Sequence, residues 1–282
     1  MDTSTPSSPS WPLSWFELPS LMVAPALRAC RLFNTSLDGL FYDVPGLTQA
    51  LRERDVRILT TRDGDGPLPN GVIDLSAATD PEGALLLIDP SAAPYITAWT
   101  NVAAFLESQA TAPNPVGVAT ITGVGSSALG SAAMAWDVAV GLARPVLAIV
   151  PGYGVADVML QGLGGWFGFG LHDRLNIKSD LQNTLAVVAP NTATHGRRLS
   201  ASSPGARTVN GGPVFRTGCG SSDVLHDLMR ELRFTHLVGH SKGALAIANA
   251  LRDLPPGRTK DLKVVTLGCP IAEERTDARY HQ

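Results

Sequence analysis

A chain of 282 residues with 44% hydrophobic and 17% charged side chains has the composition of a soluble globular protein, as one large domain or one domain with a smaller attachment. Its net charge of -3 and lack of any basic run argue against nucleic acid as the main partner. Cys30, Cys219 and Cys269 are odd in number and widely spaced, which indicates neither a disulfide framework nor a zinc site.

Residues 1–14 read as a disordered leader. Met1 to Pro12 is rich in Ser, Thr and Pro and holds no Lys or Arg, so the basic start of a secretory signal is missing. The apolar stretch from Leu18 to Leu27 is broken by Pro19 and Pro25 and falls short of the ~20 apolar residues of a membrane span. The expected location is cytoplasmic.

Residues 15–112 read as an N-terminal α+β attachment. From Trp15 to Leu51 the spacing predicts one or two short helices. They either pack on the main domain or offer an apolar face to a lipid surface or protein partner. Short apolar runs at Val56–Leu59, Gly71–Leu75 and Ala84–Asp89, separated by Gly, Pro and Asp, predict strands of a small or edge sheet. Tyr95 to Ser108 reads as a helix, and Pro113-Asn114-Pro115 as a boundary turn.

Residues 113–282 alternate between strand and helix signals. Val116–Thr122, Pro145–Val150, Thr184–Ala189, His236–Gly239 and Leu262–Leu267 are strand-like; Ser131–Leu142, the segment around Val224 to Leu232, and Gly243–Leu254 are helical. Such alternation predicts an α/β fold, a mostly parallel sheet with helices on both faces.

The chemistry concentrates at Gly239-His240-Ser241-Lys242-Gly243. A serine hydroxyl becomes nucleophilic when a base takes its proton and the chain holds it out of the sheet. A strand-turn-helix elbow does the holding, and it requires small residues two before and two after the serine, where strand and helix cross. Gly239 and Gly243 meet that requirement, between strand-like Phe234–Val238 and the Ala-rich Ala244–Ala248.

On these residues, GHSKGALA followed by VVTLGCP, the segment from about 145 to 270 resembles the α/β-hydrolase superfamily, in particular lipases and related esterases. The resemblance implies Ser241 as nucleophile and the backbone N–H of Lys242 as one oxyanion donor. It implies a second donor from the loop after Pro145–Val150, at Gly152, Tyr153 or Gly154. His240 reads as a structural histidine, because adjacent residues in a tight turn point apart.

In that family an acid and a histidine follow the serine, and 41 residues follow Ser241 here. Asp277 and His281 are the acid and base that chain order permits. His195 or His172, reaching in from before the serine, is the alternative base. A third reading is an incomplete domain with weak or absent hydrolysis that binds its ligand without turnover.

Thr122 to Gly130 lies between a strand and a helix but lacks the G-x-G-x-x-G spacing and the acidic residue of a dinucleotide site. It reads as a small-residue turn that lets a helix pack, with a Rossmann-type nucleotide-binding protein as the competing class. Met159 to Leu171 mixes five glycines with Trp166, Phe167 and Phe169. It reads either as a lid over a lipid-like site or as a tightly packed connection. The expected function is hydrolysis of a hydrophobic ester, with neither metal nor organic cofactor.

Overall fold

Alternation along the central strands decides the architecture. The computed structural model describes residues 38–60, 68–75, 83–99, 102–123, 126–151, 220–252, 254–255, 257–271 and 277–282. The leader, the strand expected at Thr184–Ala189, the lid segment and Cys30 and Cys219 lie outside the described residues. In chain order the elements are α1 (Val44–Arg52), β1 (Arg57–Leu59), β2 (Val72–Asp74), β3 (Leu85–Ile88), β4 (Ile96–Trp99), α2 (Val102–Ala110), β5 (Val118–Ile121) and α3 (Ala128–Leu142). There follow β6 (Val146–Ile149), α4 (Gly220–Glu231), β7 (His236–His240), α5 (Lys242–Ala250), β8 (Leu262–Leu267) and β9 (Ala278–His281).

Strands β1 and β2 form a small parallel pair, and the other seven strands form one sheet in the order β4-β3-β6-β5-β7-β8-β9. β3 runs antiparallel to β4 and β6, and the remaining neighbours are parallel. In β6, Val146 and Ala148 enter a core with α1 and α3, while Leu147 and Ile149 enter a second core with α2, α4 and α5. Helices therefore cover both faces, which is why β6 reads as an unbroken apolar run and β5 as one interrupted only by the buried Thr120. The chain is an α/β protein with a mixed, mostly parallel sheet.

Helix α3 shows how locally the sequence writes this. Ser127 caps it, its hydroxyl accepting from the Leu129 N–H at 3.2 Å, and alanines at 132, 133, 135 and 139 let it lie close on the sheet. It ends at Ala143 in the left-handed conformation. Helix α1 is capped by Asp43 and buries Leu47 and Leu51 against α3.

Two expectations change. The segment before residue 113 is not a separate attachment, because β3 pairs along its length with β6 and carries β4 with it. The helix expected at Tyr95–Ser108 begins instead as strand β4, which lets Ile96 and the half-buried Trp99 extend the sheet before α2 starts. The tail after Pro270 contains β9, parallel to β8.

The order of strands also locates a crevice. From β5 the chain continues to β6 on one side, and from β7 it continues to β8 on the other. The carboxyl ends of β5 and β7 thus meet at a topological switch point, where open α/β sheets take their ligands.

Candidate active site

Ser241 stands at that switch point, between β7 and the first residue of α5, with φ 51° and ψ -116°. This lies outside the regions open to an L-residue, and holding it costs about 1–3 kcal/mol. The turn is fixed by the Ser241 N–H, which donates to the Leu267 carbonyl at 2.8 Å, and by the Ala244 N–H, which donates to the Ser241 carbonyl at 3.1 Å.

The two glycines explain why the turn can form. A Cβ on Gly239 would stand 2.7 Å from the Ala244 nitrogen, and one on Gly243 would stand 1.9 Å from the Ile121 carbonyl oxygen. The start of α5 is thereby pressed against both β7 and the end of β5. Although Ser241 occupies the N-cap position, its hydroxyl makes no capping bond. Lys242 is buried, and its N–H belongs to the first turn of α5, where amides have no intrahelical acceptor.

Residues 38–42 close over the same crevice. Asp38 is buried at 3% exposure, and its carboxylate accepts from the Ser126 hydroxyl (2.8 Å), the Ser127 N–H (3.0 Å) and the Ser127 hydroxyl (2.7 Å). Burial nevertheless raises its pKa, and the hydrogen bonds from Ser127 and Ser126 oppose the rise. Gly130 has no room for a Cβ, which would stand 2.4 Å from the Asp38 Cγ. One helical turn later, the Tyr42 oxygen accepts from the Gly123 N–H at 2.8 Å and lies 2.8 Å from His240 Nδ1.

The Gly123 bond favours one tautomer of His240. With its oxygen accepting from Gly123, the Tyr42 hydroxyl is assigned as the donor to Nδ1, an assignment that places the proton of neutral His240 on Nε2. Burial lowers the His240 pKa, in keeping with a neutral ring. The Phe41 and Tyr42 rings flank His240, with centroids 5.9 and 5.5 Å away. His240 is thus a hydrogen-bonded structural histidine.

Of the residues singled out from sequence, Ser241, Lys242 and His240 sit together at the switch point. Asp277 and His281 do not join them. His281 lies across from Val265 on β8, which pairs Val238 on β7. That position is about 10 Å across the sheet and about 10 Å back along the strand from Ser241. Asp277, just before β9, lies at the opposite end of the sheet, about 13 Å along the chain from His281. A separation by two strands and a strand's length cannot be bridged by these side chains.

Gly152, Tyr153, His172 and His195 lie outside the described residues. On that side of β7 the neighbouring strand is β5, with β6 one place further out, so of the loops after β5 and β6 the one beside Ser241 begins at Gly123. A Cβ built on Gly123 would stand 3.7 Å from the Ser241 Cβ. Gly123, Tyr42 and Asp38 were hidden in sequence because strand order decides which loop adjoins the serine; the only local signal was the small-residue turn from Thr122 to Gly130. That turn is spent on the protein's own groups. The α3 N-terminus, which a dinucleotide phosphate would use, holds the Asp38 carboxylate.

Among the described residues, no three His, Cys, Asp or Glu side chains gather as a metal ion would require, and no helix is long and apolar enough to cross a membrane. Comparison of the chain with protein-family models, with curated proteins and with solved structures finds no match. The site is defined by its geometry. That geometry offers a strained, half-buried serine at a helix N-terminus, and Leu40, Phe41 and Leu267, in the segments that bond to the elbow, are exposed.

Proposed function

We propose that the protein is a serine ester hydrolase of lipase or esterase type, on an α/β-hydrolase-like fold, with Ser241 as nucleophile. The observation that carries this reading is the backbone of Ser241, held at φ 51° and ψ -116° by two glycines that admit no Cβ. Proteins hold such strain where the presentation of a side chain matters. Its place at the switch point adds to the case.

In this reading the Ser241 oxygen attacks the ester carbonyl carbon as a histidine takes the hydroxyl proton, and the carbonyl electron pair moves onto oxygen. The Lys242 N–H at the α5 N-terminus stabilises that oxyanion. As the pair returns, the carbon–oxygen bond to the alcohol breaks and the alcohol leaves with the proton. Water, activated by the same histidine, then releases the acid from Ser241. With His281 two strands away, the base is His172 or His195, from the segment between β6 and α4. Exposed Leu40, Phe41 and Leu267 favour a hydrophobic ester, and offer a surface for a lipid or protein contact.

A fluorophosphonate probe tests the reading directly, with the adduct expected on Ser241 and lost in Ser241→Ala. Short-chain p-nitrophenyl esters should be hydrolysed by the same protein. His172→Ala or His195→Ala should abolish turnover, and His281→Ala should not. Failure of the folded wild-type protein to label would end the enzyme reading.

One observation favours a second reading, a ligand-binding protein with weak or no catalysis. Among the described residues, no histidine or carboxylate hydrogen-bonds the Ser241 hydroxyl. It predicts saturable, calorimetrically visible binding of a hydrophobic ester without product.

A further inference from the structure

Beside Ser241, the exit of β5 is where a second donor toward a developing oxyanion would be expected, since a lone helix-terminal amide is half of such a site. The amide there is Gly123, and its hydrogen is already engaged by the Tyr42 oxygen at 2.8 Å. What this exit presents is therefore a phenol hydroxyl held from behind by that amide. Around the vacant Cβ position of Gly123 lie the Tyr42 oxygen at 3.3 Å, His240 Nδ1 at 3.4 Å and the Ser241 Cβ at 3.7 Å. The tyrosine oxygen and the serine thus flank the same face of one glycine.

We propose that the Tyr42 hydroxyl is the second oxyanion donor of the Ser241 site, a role that rests on the ester-hydrolase reading of that serine.

Three features fit it for this work. Tyr42 is anchored: Asp38, one turn earlier, is clamped by three hydrogen bonds from Ser126 and Ser127, so the hydroxyl is preorganised and takes no search to find its place. The Gly123 N–H donating to the phenol oxygen polarises the O–H and strengthens it as a donor. Burial, with the Asp38 charge adding to it, pushes the Tyr42 pKa up to about 12, so the hydroxyl keeps its proton at neutral pH.

At rest the hydroxyl lies 2.8 Å from His240 Nδ1, which in the assigned tautomer is a neutral acceptor of its hydrogen. When the carbonyl pair moves onto oxygen, a charged acceptor is created, and a hydrogen bond to an ionised oxygen is roughly twice as strong as a neutral one. The hydrogen turns from His240 to the oxyanion while the Gly123 bond stays in place. No proton leaves Tyr42, and the bond-making steps are unchanged. The arrangement differs from a gate, in which Tyr42 would have to be pulled off Gly123 against the Asp38 anchor.

The test compares wild type, Tyr42→Phe and His240→Phe for the rate of Ser241 labelling by a fluorophosphonate, for kcat and KM on a p-nitrophenyl ester, and for Tm. Tyr42→Phe should lower kcat and the labelling rate by about 10²-fold with KM within about threefold, the signature of a contact made in the transition state. His240→Phe removes the bridge to β7 but keeps the hydroxyl, and should lose less than about tenfold.

Equal losses in the two variants would mean that Tyr42 only ties β5 to β7, overturning the donor role. Unchanged or faster labelling of Tyr42→Phe would overturn it too, the faster case marking Tyr42 as a block on Gly123. Wild-type protein that does not label would overturn the hydrolase reading and the Tyr42 role with it; labelling at equal rates would overturn the Tyr42 role alone.

Discussion

Ser241 trades stability for presentation. Glycine adopts φ 51°, ψ -116° without a Cβ penalty, so Ser241→Gly should recover the strain of about 1–3 kcal/mol, less about 0.5–1 kcal/mol for the freer unfolded chain. A net gain of about 1 kcal/mol, read as a raised urea midpoint, should accompany complete loss of Ser241 chemistry. A variant no more stable than wild type would mean the turn is not strained. The flanking glycines run the other way. In Gly243→Ala the methyl would meet the Ile121 backbone at 1.9 Å, and backbone inside a sheet cannot step aside. A loss of about 3 kcal/mol or more is expected, exceeding that of Gly239→Ala, whose nearest atom is 2.7 Å away in the more yielding first turn of α5. The ordering, measured by denaturant titration, is the check.

At the scale of elements, the 38–42 turn ties two others together, since Asp38 caps α3 and Tyr42 joins the ends of β5 and β7. Asp38→Ala would leave the Ser126 and Ser127 hydroxyls without their acceptor and should cost about 2 kcal/mol, with slower Ser241 labelling as Tyr42 loses its anchor. The burial of His240 carries a pH dependence. Burial lowers the His240 pKa below its ordinary 6.5, so the stability this adds is fully present above 6.5 and is lost as pH falls through the lowered folded value. His240→Gln should flatten the decline in stability between about pH 7 and pH 5, and an unchanged decline would assign it to other groups.

The same elements show what sequence can carry. β5, β6, β7, β8, α3 and α5 were legible because their period, caps and glycines are local: Leu262–Leu267 is strand β8 residue for residue, and the demand for small residues at 239 and 243 follows from the turn alone. β9 was not legible, since an edge strand whose Arg279 and His281 face outward reads as a polar tail. Nor was Tyr42. Eighty-one residues separate it from Gly123, and 198 from His240, and no local pattern encodes a contact of that range.

Across the whole molecule the consequence is that the Pro113-Asn114-Pro115 turn is not a folding boundary. β6 is buried along its whole length, and on one side its partner is β3, through the pairs Leu85–Ile149, Leu86–Ala148, Leu87–Leu147 and Ile88–Val146. A chain beginning at residue 113 would bare that edge of an apolar strand, a template for association. It would also remove Leu47, Leu51, Leu86, Ile88 and Ile96 from the core beneath α3. At about 1.5–3 kcal/mol for each buried side chain, those five are worth roughly 10 kcal/mol, as large as the net stability of an ordinary domain. The shortened chain should therefore be insoluble or, if recovered, should bind a hydrophobic dye and melt without a cooperative transition. The full chain should melt cooperatively, and Ser241 labelling should vanish with the first 112 residues although the serine, its glycines and α5 all remain. Cooperative melting of the chain from 113 onward would restore the boundary at that point and make β3 and β4 an accessory to a core that stands without them.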